Sequence, residues 1–232
     1  MVQEINRPYV IARIKFVKLG NLQYISHLDL VRTMHKVLIR TKLPLWYSEG
    51  FNPKPKMVFS LPLSIGVQSV CEYMDVRLTE RVSEQQILNL INDNVTDELK
   101  ALEVYYPTTS LSEIKWYLYT VKIKTENASE ELAMACDSVL NSSPLVVEKK
   151  GKKGVSEVDI SPMISFATAV LDSGLIKLSL KLSADSSAPL NPDLVVKLLK
   201  NKCGILSSDN LLEEYYITMR ECAYFEDMSP YK

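Results

Sequence analysis

Two successive stretches of the chain carry the same order of hydrophobic periods, and that repeat restricts its possible folds more than any other feature. Val10 to Lys18 alternates, with Ile11, Arg13, Lys15 and Val17 set against Ala12, Ile14, Phe16 and Lys18. This is the two-residue period of a strand, ending at Gly20. From Ser26 to Lys42 the period becomes helical. Ser26 followed by Asp29 fits a capping box, and Leu30, Val31, Met34, Val37 and Leu38 share one side of a helical wheel. Asp29, Arg32, Lys36 and Arg40 share the opposite side, and Pro44 stops the helix. Extended segments are expected at 57–65 and 72–78. A helix capped by Ser83 follows, carrying Ile87, Leu88, Leu90 and Ile91, and residues 101–106 form a strand. The order is β-α-β-β-α-β, the split βαβ of a ferredoxin-like sandwich.

The same order returns after the linker at 108–112. A strand is expected over 116–125, then a helix capped by Asn127 and running through Asn141, with Glu130 at its third position. Extended segments run through 145–160 around a turn of Gly151, Lys152, Lys153 and Gly154, and segments 164–171 and 175–183 flank a hairpin turn at Asp172, Ser173 and Gly174. Asn191 and Pro192 open a helix that Gly204 ends, and 215–225 is the last strand. The sequence therefore predicts an α+β chain of two tandem ferredoxin-like (βαββαβ) units, residues 1–108 and 113–232, the second enlarged by an extra hairpin.

Composition narrows the class only broadly. With 47% hydrophobic and 24% charged residues the chain is globular, and its net charge of −1 provides no overall attraction to nucleic acid or membrane. Seven glycines leave little for glycine-lined dinucleotide sites. Cys71, Cys136, Cys203 and Cys222 lie too far apart in sequence for a zinc ribbon or an iron–sulfur motif and read as small core residues. Neither a signal-like apolar run nor a membrane-length one occurs. The expectation is a cytoplasmic protein with no membrane contact, no metal and no cofactor.

Charge is distributed unevenly. Between Arg13 and Lys56 stand Arg13, Lys15, Lys18, Arg32, Lys36, Arg40, Lys42, Lys54 and Lys56 against Asp29 and Glu49, nine minus two, or +7; residues 72–103 carry eight acids against three bases, or −5. A helix face of Arg32, Lys36 and Arg40 followed by a basic loop suits phosphates, an acidic protein, or simply water, with Asp29 pairing Arg32 locally. The loop at 47–56 is rich in turn residues. Gly50 allows a left-handed turn, Pro53 and Pro55 stiffen the chain, and Phe51 beside Lys54 and Lys56 is the combination that base stacking with phosphate neutralisation uses. The competing expectation has Phe51 and Trp46 tucked beneath the loop as anchors.

His27 and His35 are the two histidines. His27 falls in the first helical turn on the apolar side, where it is either buried and hydrogen-bonded or, with Tyr24 and a nearby lysine, an acid–base group for a ribose 2′-hydroxyl. His35 is expected at the surface. No phosphate loop, G-x-G-x-x-G or nucleophile elbow occurs, so catalysis is not the leading reading. Lys149, Lys150, Lys152 and Lys153 surround a hairpin tip that is either a solvated end or a second electrostatic contact, and Glu213-Glu214 and Glu226-Asp227 read as solvated ends.

The run Tyr24-Ile25-Ser26-His27-Leu28-Asp29-Leu30, with Arg32, Leu43-Pro44, then Tyr47-Ser48-Glu49-Gly50-Phe51-Asn52-Pro53-Lys54-Pro55-Lys56, Pro62 to Gly66, Ser69 and Glu72-Tyr73-Met74-Asp75, resembles the radical-SAM-associated protein family. That is a domain of unknown function found alone or behind cobalamin-binding-type radical SAM proteins. The resemblance is concentrated in residues 10–80. It implies an accessory protein working beside a radical SAM enzyme. This chain lacks the cysteine triad that holds such an enzyme's cluster, so it is the partner and not the catalyst. The family's usual loop carries histidines where Asn52 and Lys54 stand here, which favours lysine–phosphate contact over imidazole chemistry. Tandem ferredoxin-like units also resemble CRISPR RNA-processing nucleases and some tRNA pseudouridine synthases. The expected function is RNA binding through Arg32, Lys36, Arg40, Ser48, Gly50, Phe51, Asn52, Lys54 and Lys56. The alternatives are a metal-independent endoribonuclease using His27 and Tyr24, and a module that docks on the radical SAM protein.

Overall fold

A computed structural model describes residues 8–151, 154–208, 210 and 212–232. Alternation in Val10–Lys18 gives strand β1, and Ser26 caps helix α1, His27–Thr41, by accepting the Asp29 N–H. α1 ends at Thr41, and its C-cap Lys42, two residues before Pro44, adopts a left-handed conformation with φ 56°. Strands β2 (Met57–Phe59) and β3 (Val67–Leu78), helix α2 (Glu84–Asn92) and strand β4 (Ala101–Tyr105) follow. Of the expected extended segment at 57–65, the first three residues pair in the sheet. β3 starts five residues earlier than the alternation at 72–78 suggests.

Next come β5 (Trp116–Lys124), α3 (Glu130–Leu140), the hairpin β6 (Val146–Gly151) and β7 (Gly154–Asp159), β8 (Ile164–Asp172), β9 (Leu175–Ser183), α4 (Pro192–Cys203) and β10 (Tyr215–Tyr224). The cap of α3 is Ser129, not Asn127: its hydroxyl accepts the Leu132 N–H. Among the described residues the fold is therefore mixed α+β, with mainly antiparallel strands and four α-helices.

The chain divides into two compact units, Met1–Glu113 with Lys232, and Ile114–Tyr231. In the first, the strand order is β4-β1-β3-β2 with every pair antiparallel. Ala12, Ile14 and Phe16 of β1 meet Leu30, Met34, Val37 and Leu38 of α1 and Ile87 and Ile91 of α2 in one core. On the other face of β1 the Arg13 guanidinium is fully buried, bidentate on Asp75 at 2.6 and 2.8 Å and donating to the Thr109 carbonyl at 2.9 Å.

In the second unit the order is β10-β5-β9-β8, again all antiparallel, and β6–β7 forms a separate two-stranded sheet. Glu214, expected at a solvated end, is buried: its carboxylate accepts from the Thr125 hydroxyl and from the Glu126 and Ser208 N–H groups. Those bonds, the Thr125 hydroxyl first, hold it below the usual glutamate range. Cys71 and Cys136 are core residues as expected, whereas Cys203 and Cys222 are half-buried. Burial, with Cys203 beside it, pushes the Cys136 thiol up to about 12.

Candidate nucleic-acid interface

The surface is built on α1. Its apolar side fills the core, so the residues at the opposite angle stand in solvent: Arg32, Lys36 and Arg40 at four-residue intervals are all exposed, with the apolar Leu28 and Ile39 among them. Arg32 lies 3.1 Å from Asp29 and is locally compensated. The Ser26 hydroxyl, and then Arg32, hold the Asp29 carboxyl below its ordinary range. Lys36 and Arg40 form no ion pair among the described residues.

The loop after α1 is an ordered arm. The Trp46 N–H donates to the Arg77 carbonyl at 2.8 Å and the Lys56 N–H to the Trp46 carbonyl at 2.9 Å, tying the base of the arm to β3. Further out, the Ser48 N–H donates to the Lys54 carbonyl at 2.8 Å, and the Ser48 hydroxyl accepts the Lys54 N–H at 3.0 Å. Ser48 therefore shapes the arm. Gly50 turns its tip at φ 113°, where a side chain is strained. Phe51 projects from that tip fully exposed, and Asn52, Lys54 and Lys56 are exposed beside it. The tucked arrangement holds only for Trp46, which is half-buried against the Tyr9 ring at 5.8 Å.

His35 was expected at the surface, but it is half-buried and carries out a structural task. Its Nε2 lies 3.2 Å from the carbonyl of the buried Pro55, which fastens the arm to α1. That bond requires the proton on Nε2. Nothing in the local sequence signals it, because the partner is a backbone atom twenty residues away.

At the other end of α1, His27 packs edge-on against Phe59 of β2, with ring centroids 5.4 Å apart. Burial lowers its pKa from 6.5; the Glu72 carboxylate opposes that shift and Lys18 adds to it. Both neighbours are themselves buried, and the Lys18 ammonium donates to the carbonyls of Gln23 and Ile25 at 3.4 and 3.3 Å. Lys18 stands where the sequence reading set a nearby lysine beside His27, and Glu72 is the residue that sequence reasoning did not tie to it. The signal was available in the pairing: Glu72 faces Phe16 across the β1–β3 ladder, so its side chain enters the core face. Tyr24 ends a 3-10 turn and is 65% exposed, and among the described residues it forms no hydrogen bond with His27. The structure thus exposes Arg32, Lys36 and Arg40 on α1 and Phe51, Asn52, Lys54 and Lys56 on the arm that His35 ties to that helix, and places His27 in a buried-charge setting.

Among the described residues no group of three or more His, Cys, Asp or Glu is placed to hold a metal ion, and no helix is long and apolar enough to cross a membrane. Lys152 and Lys153, at the hairpin tip, lie outside the described residues.

A family described as "Uncharacterized protein conserved in bacteria (DUF2344)" matches residues 12–192, a span that contains α1, the arm, β3 and most of the second unit. Among curated proteins none matches. A solved structure of an unknown protein from Galdieria sulphuraria is similar at 8% sequence identity, covering 91% of this chain and 98% of that one with a TM-score of 0.26, which carries no argument about fold or function.

Proposed function

The chain belongs to this uncharacterized family conserved in bacteria, and from that premise we propose that it is an accessory protein that binds single-stranded RNA through α1 and the arm at 47–56, beside a radical SAM enzyme. The observation that carries the reading is Phe51: a fully exposed ring on an ordered arm, next to exposed lysines. An unburied aromatic in that setting has no packing role in the folded chain, whereas a splayed base offers it a face to stack on. Lys36, Arg40, Lys54 and Lys56 then meet the phosphates. The radical SAM partner rests on the motif resemblance in residues 24–75. We also read each unit as ferredoxin-like, supported by the strand orders β4-β1-β3-β2 and β10-β5-β9-β8, and the setting as cytoplasmic, supported by four free thiols.

The test is titration of a fluorescent oligouridylate with wild-type protein, with Phe51→Ala, and with Lys36, Arg40, Lys54 and Lys56 all changed to Glu. Phe51→Ala is expected to weaken binding roughly ten-fold with the melting temperature unchanged, and the charge-reversed protein to bind not at all. Unchanged affinity in both variants sinks the reading.

Two features favour other roles for the same region. Exposed Leu28 and Ile39 beside the basic stripe fit a module that docks on protein; co-purification of the radical SAM enzyme that survives nuclease treatment and is lost in Leu28→Asp supports that role. His27 beside Glu72 fits acid–base chemistry. RNA cleavage abolished by His27→Ala in a protein of normal melting temperature supports a ribonuclease.

A further inference from the structure

The second unit carries a surface that the reading above leaves unused. Alternation buries Tyr117, Tyr119, Val121 and Ile123 of β5 on one face of its sheet. That face is the helix side: Tyr216, which pairs with Ile123, donates its hydroxyl to Asp193 of α4 at 3.2 Å, and α3 packs on β8 and against α4. The intervening residues point the other way and remain accessible.

Across that helix-free face the registers set Ile217, Lys122, Lys177 and Val170 in one row. Two rows away, Lys181 stands beside Phe166. Phe166, Val170, Tyr215 and Ile217 are exposed. The Lys124 ammonium stands 5.6 Å from the Tyr215 ring centroid, and that of Lys181 stands 4.0 Å from the Tyr224 ring centroid. Asp172 answers Lys177 at 3.8 Å, while Lys122, Lys124 and Lys181 form no ion pair among the described residues.

Lysine is depleted from the cores of protein–protein interfaces, so a sheet face with lysines standing between exposed rings is poorly suited to a protein partner. It is well suited to a strand of splayed bases, whose planes stack on the rings while the phosphates meet the ammonium groups. We propose that the helix-free face of the second unit's sheet is a second binding site for single-stranded RNA, with Phe166 and Tyr215 as stacking rings and Lys122, Lys124 and Lys181 as phosphate partners. The proposal rests on the reading of this chain as an RNA-binding protein.

The experiment uses the full chain and a fluorescent oligouridylate. A sheet variant carrying Lys122→Glu, Lys181→Glu and Phe166→Ala is compared with an arm variant carrying Phe51→Ala, Lys54→Glu and Lys56→Glu, each checked by thermal melting. The sheet variant is expected to bind at least about ten-fold more weakly. Its log–log salt slope should be shallower by about 1.4, since each lost phosphate contact on single strands is worth about 0.7. Unchanged binding in the sheet variant with loss in the arm variant overturns the inference and leaves the reading of α1 and its arm intact. Loss in the sheet variant alone supports the inference and overturns the arm. No binding by the wild-type protein overturns both. Ultraviolet crosslinking of the wild-type complex, followed by peptide mapping, covers the case of a sheet variant that melts early: adducts on the Phe166 or Tyr215 peptides support the site, and adducts confined to the first unit overturn it.

Discussion

Arg13 belongs by sequence to the basic segment, yet its guanidinium lies in the interior, held by Asp75 and the Thr109 carbonyl. Lys18 is buried as well. The local count of +7 therefore overstates the charge available to a partner, because counting residues cannot distinguish a buried ion pair from a solvated cation. A buried cation stripped of its carboxylate is costly, so Asp75→Ala is expected to lower stability by about 3–5 kcal/mol in urea unfolding, with RNA affinity per folded molecule unchanged. His27 supplies a pH dependence. Unfolded, it titrates near 6.5; folded, burial places its pKa lower. Between those values the unfolded chain binds more protons, so the stabilisation is full above 6.5 and is lost as pH falls through the folded value. Urea midpoints should drop over that range, and His27→Gln should flatten the drop. An NMR titration of the imidazole with its midpoint above 6.5 contradicts this.

Elements whose ends carry their own punctuation were legible from sequence. β1 and α4 fall where their alternation, or the Asn191-Pro192 start and Gly204 end, place them. α1 begins at the Ser26 cap, and Ser26→Ala is expected to lower stability by about 1 kcal/mol in the same urea assay, since the Asp29 N–H then loses its acceptor. Misplaced ends arose where several residues offer the same chemistry. Asn127 and Ser129 are both good caps, and only the backbone geometry selects Ser129. The stretch after β2 reads as extended, but Pro62 lacks an N–H for a ladder and Gly66 turns at φ 85° before β3 begins. The candidate surface was legible to a similar degree. The stripe on α1 follows from helical period alone, whereas Phe51 had two opposed readings, because exposure depends on how the arm is tied down. That tie is made by backbone atoms and His35, and backbone acceptors leave no trace in a sequence.

For the whole molecule a net charge of −1 sets no direction, and the question is how many cations one RNA strand neutralises. Arg13 and Lys18 are buried, Arg32 is compensated by Asp29, and Lys15 is half-buried on β1 with its ammonium 5.9 Å from the Tyr73 ring centroid, so α1, its C-cap and the arm offer Lys36, Arg40, Lys42, Lys54 and Lys56, five in all. Each contact with single-stranded RNA contributes about −0.7 to the slope of log K against log salt, so binding through α1 and its arm alone predicts a slope of about −3.5. Lys122, Lys124 and Lys181 on the sheet face raise the number to eight, which predicts about −5.6 when one strand engages both surfaces. Binding of an oligouridylate measured across a salt series separates these cases, provided the strand is made progressively longer. A slope that stays near −3.5 at every length assigns RNA to a single surface. A slope that steepens toward −5.6 once the strand is long enough requires both, and the sheet variant, which keeps Lys124, should then bring it back to about −4.2. A slope near zero at all lengths means the basic stripe neutralises no phosphates, and the exposed Leu28 and Ile39 on α1 become the features to explain.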